Sequence, residues 1–475
     1  MNQQNTPLFN ALMAHVNKMP VSFHVPGHKY GTVLNEMAGA CFKEIMKLDA
    51  TELSGLDDLH SPEGVIREAE ELLAELYGVE ESFFLVNGST CGNLAMILSV
   101  CGEGDKVLVQ RNCHKSIVNA LRLAKADPIF IEPVFNGEWK VAGGLDTEAV
   151  EQAMVRFPEI KGIVLTYPNY YGIADPIAEI IEAAHQNGIP VLVDEAHGAH
   201  FIAGDSFPTS AVALGADIVV QSAHKTLPAM TMGSFLHFNS RLANLGRLKD
   251  YLQMLQSSSP SYPLMASLDL ARMYLGTFKK RDLSSLMEEV SRFREELADI
   301  PQIRILKAGE KTDPLKVAVQ SACSLTGYEI QQLLEHEGIF TELADPFNVL
   351  LVLPLLKEDM PYPFVPAAKK IKDILRDYAP FKQEPDVFSR GGGLSRLALS
   401  YHEMEGLTGE LVKLENAPGS VAAETIIPYP PGIPLILKGE RVSELMARKL
   451  AQLIKSGSRF HGGERLEDGE ILIYR

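Results

Sequence analysis

Two apolar runs in this chain end in residues that could do chemistry. Val191–Leu192–Val193 leads into Asp194–Glu195–Ala196–His197, and Ile218–Val219–Val220–Gln221 leads into Ser222–Ala223–His224–Lys225. A carboxylate and an amine therefore follow strand-like segments, at the ends where open α/β sheets present ligands. A partly desolvated lysine there can lose its proton and act as a nucleophile. A buried carboxylate beside it can keep a proton on a ring nitrogen. That pair fits pyridoxal phosphate, with Lys225 carrying the cofactor as a Schiff base and Asp194 facing its pyridinium nitrogen. His28–Lys29 and His114–Lys115 are the competing His–Lys pairs. Lys29 falls in an irregular arm and Lys115 opens a helix, where a solvated cation is the ordinary reading. Asp194, His197 and His200 also allow a metal reading, but no further ligand cluster supports it, so no metal is expected.

A phosphate needs donors, and Asn87–Gly88–Ser89–Thr90 supplies them between an apolar run (Phe83–Val86) and a helix. Gly88 admits close backbone approach, the helix start points N–H groups outward, and Ser89 and Thr90 add hydroxyls. Ser222 and His224, beside Lys225, could grip from the other side. The GxxxxGK spacing of a nucleotide-binding loop is absent. His114, following Asn112–Cys113 at another strand end, could stack on a cofactor ring or simply cap its helix.

The elements that must position these residues read as α/β. Unalternated apolar runs at Phe83–Val86, Lys106–Gln110, Ile129–Glu132, Gly162–Tyr167, Pro190–Val193 and Asp217–Gln221 are separated by helical patterns from Thr90, Lys115, Thr147 and Pro176. Strands buried on both faces look like this, and strand–helix repetition predicts a mostly parallel sheet covered by helices. Ser61 reads as the cap, with Pro62 at the first position, of a helix carrying Ile66, Leu72, Leu73 and Leu76. Past about 285 a long charged helix, then short strands and helices, predict a smaller C-terminal α+β domain. The expected division is an arm and loops over 1–60, a cofactor-binding α/β domain over 61–285 and the α+β domain over 286–475. The last contains a Pro-rich stretch, 424–434, too dense in proline for a central strand.

Composition bounds the function. The chain has 475 residues, 46% hydrophobic and 22% charged, with a formal charge of -17. That acidity argues against nucleic acid or an anionic membrane surface as partner, and it suits cationic small molecules. Five scattered cysteines without a CxxC fit neither a disulfide framework nor a zinc site. The N-terminus lacks a signal-peptide pattern, and no apolar run reaches membrane-spanning length. A cytoplasmic enzyme is expected.

With these pieces assembled, the sequence resembles the Orn/Lys/Arg decarboxylase family of fold-type I pyridoxal-phosphate enzymes. The matching stretches are His24–Val25–Pro26–Gly27–His28–Lys29, Leu56–Asp57–Asp58–Leu59–His60, Gly88–Ser89–Thr90, Arg111–Asn112–Cys113–His114–Lys115–Ser116 and Val193–Asp194–Glu195–Ala196–His197–Gly198–Ala199–His200. Ser222–Ala223–His224–Lys225, Ser258–Ser259–Pro260–Ser261–Tyr262 and Tyr429–Pro430–Pro431–Gly432–Ile433–Pro434 complete them. The resemblance is to the shorter bacterial members, without the N-terminal wing domain. It implies that Lys225 is the cofactor lysine, Asp194 the pyridinium partner, His114 the stacking ring and Ala196 the packing group on the opposite face. Gly88, Ser89, Thr90, Ser222 and His224 would hold the phosphate, and His197 would lie near the reacting carbon. Ser257 or Ser258 would reach a neighbouring subunit's phosphate, which makes a homodimer the minimal active unit. Glu424 would meet the distal cation of the substrate.

The implied reaction is decarboxylation of a basic amino acid, arginine ahead of lysine and ornithine, to agmatine, cadaverine or putrescine. No family landmark falls between about 357 and 420, so the choice among the three stays open. The rival enzyme is an aminotransferase or another pyridoxal-phosphate lyase, with Arg396 in Ser395–Arg396–Leu397–Ala398–Leu399–Ser400 presented to an α-carboxylate. An unbound surface Arg396 is the simpler reading. The rival from outside enzymology is a catalytically idle protein of the same fold that acts as a binding partner.

Overall fold

The structure, a computed structural model, describes residues 1–307, 311–381, 392–429 and 432–475. Pro430 and Pro431 of the Pro-rich stretch and Gly391 of the triple glycine lie outside the described residues. The chain divides into two compact units. One comprises 1–99, 192–205 and 209–280, and the other 100–191, 206–208 and 281–475.

The first unit is built around the strands Glu81–Leu85, Ser234–Phe238, Ile218–Gln221 and, from Leu192 on, Val191–Asp194, hydrogen-bonded in that spatial order. Every residue of the last three is buried, which is why their sequences are apolar without alternation. Val191–Asp194 and Ile218–Gln221 run parallel, with Asp194 opposite Val220. Within the mostly parallel arrangement, Ser234–Phe238 is antiparallel to both neighbours, pairing Phe238 with Ile218 and Leu85 with Ser234. The connection across 222–233 carries the lysine turn and a loop instead of a full crossover helix, and the chain returns beside its own strand. The N-terminal helix Pro7–Asn17 is held from the helix Tyr262–Gly276. There the buried Asp269 accepts from the Leu8 and Phe9 N–H groups at 3.1 and 3.3 Å and pairs with the fully buried Arg272 at 2.6 Å.

One local expectation is corrected. Ser61 does not cap the next helix, which runs Val65–Tyr77 behind Gly64. Asp57 does so from farther upstream, its carboxylate accepting from the N–H groups of Glu63, Gly64 and Ile66 at 3.0, 2.8 and 2.9 Å. A carboxylate satisfies these exposed helix-start donors better than a hydroxyl, and it also complements the helix dipole.

In the second unit, Ile160–Thr166, Lys106–Gln110 and Asp127–Ile131 form parallel pairs, with Leu108 opposite both Ile163 and Ile129. Leu394–Arg396 adds an antiparallel edge against Asp127–Ile131. The α+β part holds an antiparallel sheet ordered Ile303–Ile305, Lys316–Ser321, Asn348–Val352 and Leu343–Ala344, with the helices Gly327–His336 and Phe364–Leu375. A C-terminal cluster packs the helix Glu444–Lys455 with the strand pair Gly409–Lys413 and Glu470–Tyr474 through Ile426, Ile436, Val442, Leu450 and Ile471. Among the described residues, no helix is long and apolar enough to cross a membrane.

Candidate active site

Asp194 is the last residue of its strand and is 4% exposed. Its Oδ1 accepts from the Ala196 N–H at 3.1 Å and its Oδ2 from Asn93 Nδ2 at 2.8 Å. Both donors are neutral. A buried carboxylate held by two neutral donors suits a cationic N–H.

On the neighbouring parallel strand the chain passes Gln221 and enters one helical turn, Ala223–Thr226, which carries Lys225. Lys225 is half-buried, and its Nζ lies 3.1 Å from Nε2 of His197. His197 is itself 5% exposed, on the turn that follows Asp194. The two strand ends are thus tied twice, since the Ser222 N–H also donates to the Ala196 carbonyl at 3.3 Å.

The turn after Asp194 is braced from beneath by Glu195, which is fully buried. Its carboxylate accepts from Ser210 Oγ (2.8 Å), the Ala211 N–H (2.7 Å) and Gln221 Nε2 (2.6 Å). Burial pushes its carboxyl up to about 7 despite those donors. Gln221 in turn faces His237 at 3.1 Å, and His237 faces Ser82 at 2.8 Å. A continuous polar network therefore fixes this end of the strands.

The helix Gly88–Val100 starts beside the lysine turn. Gly88 has φ +78, a left-handed conformation that favours glycine and lets the chain turn from strand into helix. Ser222 Oγ donates to Ser89 Oγ at 2.8 Å, so two hydroxyls gather at the helix start, with Thr90 exposed next to them. The His224 ring is held by the Gly233 carbonyl, Nδ1 to O 3.0 Å. Ser257 and Ser258 are exposed. Ser257 N–H donates to Asn87 Oδ1 (3.1 Å) and its carbonyl oxygen lies 2.8 Å from His60 Nε2, which holds this loop beside the turn.

These residues fit pyridoxal phosphate. Free helix-start N–H groups with the hydroxyls of Ser89 and Ser222 are donors suited to a phosphate. Lys225 offers the amine and Asp194 the carboxylate for a ring nitrogen. Sequence spacing alone does not single out Asn93 or Glu195. The signal for Asn93 was a carboxamide inside the otherwise apolar run Cys91–Met96.

In the second unit, His114 is the N-cap of the helix Lys115–Ala124, its Nδ1 accepting from the Ser116 N–H at 3.3 Å and lying 2.8 Å from Ser116 Oγ. Glu424 spends both carboxylate oxygens on backbone donors, Oε2 on the Gly463 N–H (2.9 Å) and Oε1 on the Leu472 N–H (2.8 Å). Each oxygen keeps a further lone pair for a ligand. Arg396 lies half-exposed on the edge strand and pairs with Asp127 at 2.5 Å.

Comparison with known proteins identifies the family. Residues 6–314 match the family model for the Orn/Lys/Arg decarboxylase major domain, and 396–469 match that for its C-terminal domain. The chain is 46% identical to the uncharacterized protein YaaO of Bacillus subtilis (strain 168), over 99% of this chain and 98% of that one. It is 34% identical to the arginine decarboxylase of the same organism, over 94% and 92% respectively. The structure of the Escherichia coli constitutive lysine decarboxylase superposes with a TM-score of 0.80 at 20% identity, covering 99% of this chain and 82% of that one. The chain belongs to the Orn/Lys/Arg decarboxylase family, pyridoxal-phosphate-dependent decarboxylases built on fold-type I.

Proposed function

We propose that this protein decarboxylates a free basic amino acid, arginine ahead of lysine and ornithine, and releases the corresponding amine and CO2. The observation that carries the reading is the placement of Asp194 at the end of one strand and Lys225 just past the end of the adjacent parallel one, with His197 at 3.1 Å from the lysine amine. Pyridoxal phosphate supplies an electron sink for the pair left behind when the Cα–carboxylate bond breaks.

The chain's own residues divide the remaining work. Lys225 binds the cofactor covalently, and Asp194 keeps the proton on its ring nitrogen. Ser89, Thr90, Ser222, His224 and the helix start at Gly88 bind the phosphate. Ala196 would pack against the ring and His114 would stack on it, the roles the family resemblance implies. Lys225, once the substrate amine has released its Nζ, or else His197, would hold the proton that Cα takes up after CO2 departs. Ser257 or Ser258 reaches the phosphate of a second copy in a homodimer, and Glu424 receives the distal cation through a charge-assisted hydrogen bond.

Arginine comes first because a relative that matches nearly the whole chain at 34% identity is named an arginine decarboxylase. The pairing of Arg396 with Asp127 favours the surface reading of that arginine over an aminotransferase carboxylate clamp. The test is incubation of the cofactor-loaded protein separately with arginine, lysine and ornithine, without any 2-oxo acid, measuring CO2 and amine. Equimolar CO2 and agmatine support the proposal in full. Cadaverine or putrescine instead would move the substrate, and turnover only with a 2-oxo acid would replace the reaction.

A further inference from the structure

Asn93 stands one turn beyond Ser89 in the helix Gly88–Val100, within the otherwise apolar run from Cys91 to Leu98. It is 1% exposed, and its Nδ2 donates to Asp194 Oδ2 at 2.8 Å. An amide placed in such surroundings costs free energy unless it is hydrogen-bonded.

The contact is set by backbone packing. A Cβ on the preceding Gly92 would come within 2.6 Å of Leu85 Cδ1 and 2.9 Å of Val220 Cγ1. The helix is therefore pressed directly onto the strands at this point, and Val220 is the register partner of Asp194. Only the missing side chain at Gly92 brings Asn93 within reach of the carboxylate. The other oxygen of Asp194 is fixed from its own turn by the Ala196 N–H. One helix thus presents its first turn beside the lysine turn and, one turn later, an amide to the buried acid.

We infer that Asn93 is a positioning residue for the cofactor, holding the Asp194 carboxylate in the orientation that meets the ring nitrogen. This inference rests on the assignment of Asp194 made above. The amide donates without carrying charge, so it can fix a carboxylate without neutralising it as lysine or arginine would.

Two variants separate positioning from bulk packing. Asn93→Leu removes the donor at similar volume. Asn93→Asp keeps the shape but sets two carboxylates against each other, and such a pair shares a proton. Below its titration the introduced carboxyl can still donate; above it the two charges repel. The readouts are the cofactor dissociation constant from about pH 6 to 9, the melting temperature of the cofactor-free protein, and kcat against KM. Asn93→Leu should raise the dissociation constant on the order of tenfold at every pH and lower kcat, leaving KM within about twofold. For Asn93→Asp, the ratio of its dissociation constant to wild type should climb about tenfold as pH rises and the donor is lost, whereas the ratio for Asn93→Leu stays flat. Should the leucine variant fail to fold, the near-isosteric aspartate series decides alone. Asp194→Asn, measured in parallel, separates the layers. If Asp194→Asn weakens the cofactor while Asn93→Asp matches wild type at all pH, the role of Asn93 is overturned. If Asp194→Asn has no effect on cofactor binding, the assignment of Asp194 fails, and the role of Asn93 with it.

Discussion

Nζ of Lys225 lies 3.1 Å from Nε2 of His197, a contact between a one-turn helix and the turn that closes the adjacent strand. The imidazole is buried and the amine half-buried, so a proton exchanged between them is shielded from bulk water. This places an acid–base group within reach of whatever Lys225 binds. His197→Gln should therefore lower kcat by about 10²-fold, the usual scale of a lost general acid, while the visible absorbance of the lysine-bound cofactor persists. Loss of that absorbance with normal folding would instead make His197 a cofactor-binding residue.

The capping role of Asp57 predicts a pH-dependent stability difference. Burial alone would raise its carboxyl, but the N–H groups of Glu63, Asp58, Gly64 and Arg67 together outweigh this and hold it below the ordinary 3.8. A depressed folded value contributes stability above the unfolded value, and that contribution is lost as pH falls toward the folded one. Asp57→Asn should thus cost about 1 kcal/mol at neutral pH, and the difference from wild type should shrink below about pH 4. Asp57 also has φ +67. Asp57→Gly should keep that backbone and lose the cap, so thermal melts of the two variants separate the contributions.

Glu70 carries the opposite sign. It is 4% exposed, accepts from the Phe84 N–H at 2.9 Å, and burial pushes its carboxyl up to about 8. A folded value raised above 4.5 gives stability that is complete below the unfolded value and lost as pH rises through the folded one. Glu70→Gln keeps the acceptor for Phe84. Its stability relative to wild type should rise between about pH 4.5 and 8, by a few kcal/mol at the upper end. Denaturant titrations at those two pH values check it, and equal differences would contradict the buried neutral acid.

Arg111 and Glu440 form a buried ion pair at 3.0 Å, and Arg111 also donates to the carbonyls of Pro434 and Leu435 at 2.7 and 3.2 Å. This ties the Pro-rich segment to the turn that leads to His114. Arg111→Met leaves Glu440 without its counter-charge and should cost about 3–5 kcal/mol; adding Glu440→Leu should recover much of it. A double-mutant cycle by chemical denaturation measures the coupling.

How much of this was legible in the sequence depends on whether the cause was local. Val191–Asp194 and Ile218–Lys225 could be read because a buried parallel strand and a reactive residue at its end are written contiguously. Asp57 could not be read as a cap, since the chain between it and Val65 folds back by a route with no helical period. The antiparallel direction of Ser234–Phe238 was not legible, because the apolar run does not encode direction and a connection of about a dozen residues permits either return. Asn93 was hidden for a different reason. Its partner lies far along the chain, and only the close approach at Gly92 shows which face of the helix meets Asp194.

The central claim is that Lys225 carries the cofactor, and the most direct measurement reads the attachment itself. Borohydride reduction of the cofactor-loaded protein converts the lysine–cofactor link into a stable amine, which proteolysis and mass spectrometry then locate. The account predicts the pyridoxyl group on the peptide containing Ser222–Ala223–His224–Lys225, with none on that peptide in Lys225→Ala. Modification at Lys29 or Lys115 instead, or an unchanged cofactor spectrum in Lys225→Ala, would contradict it.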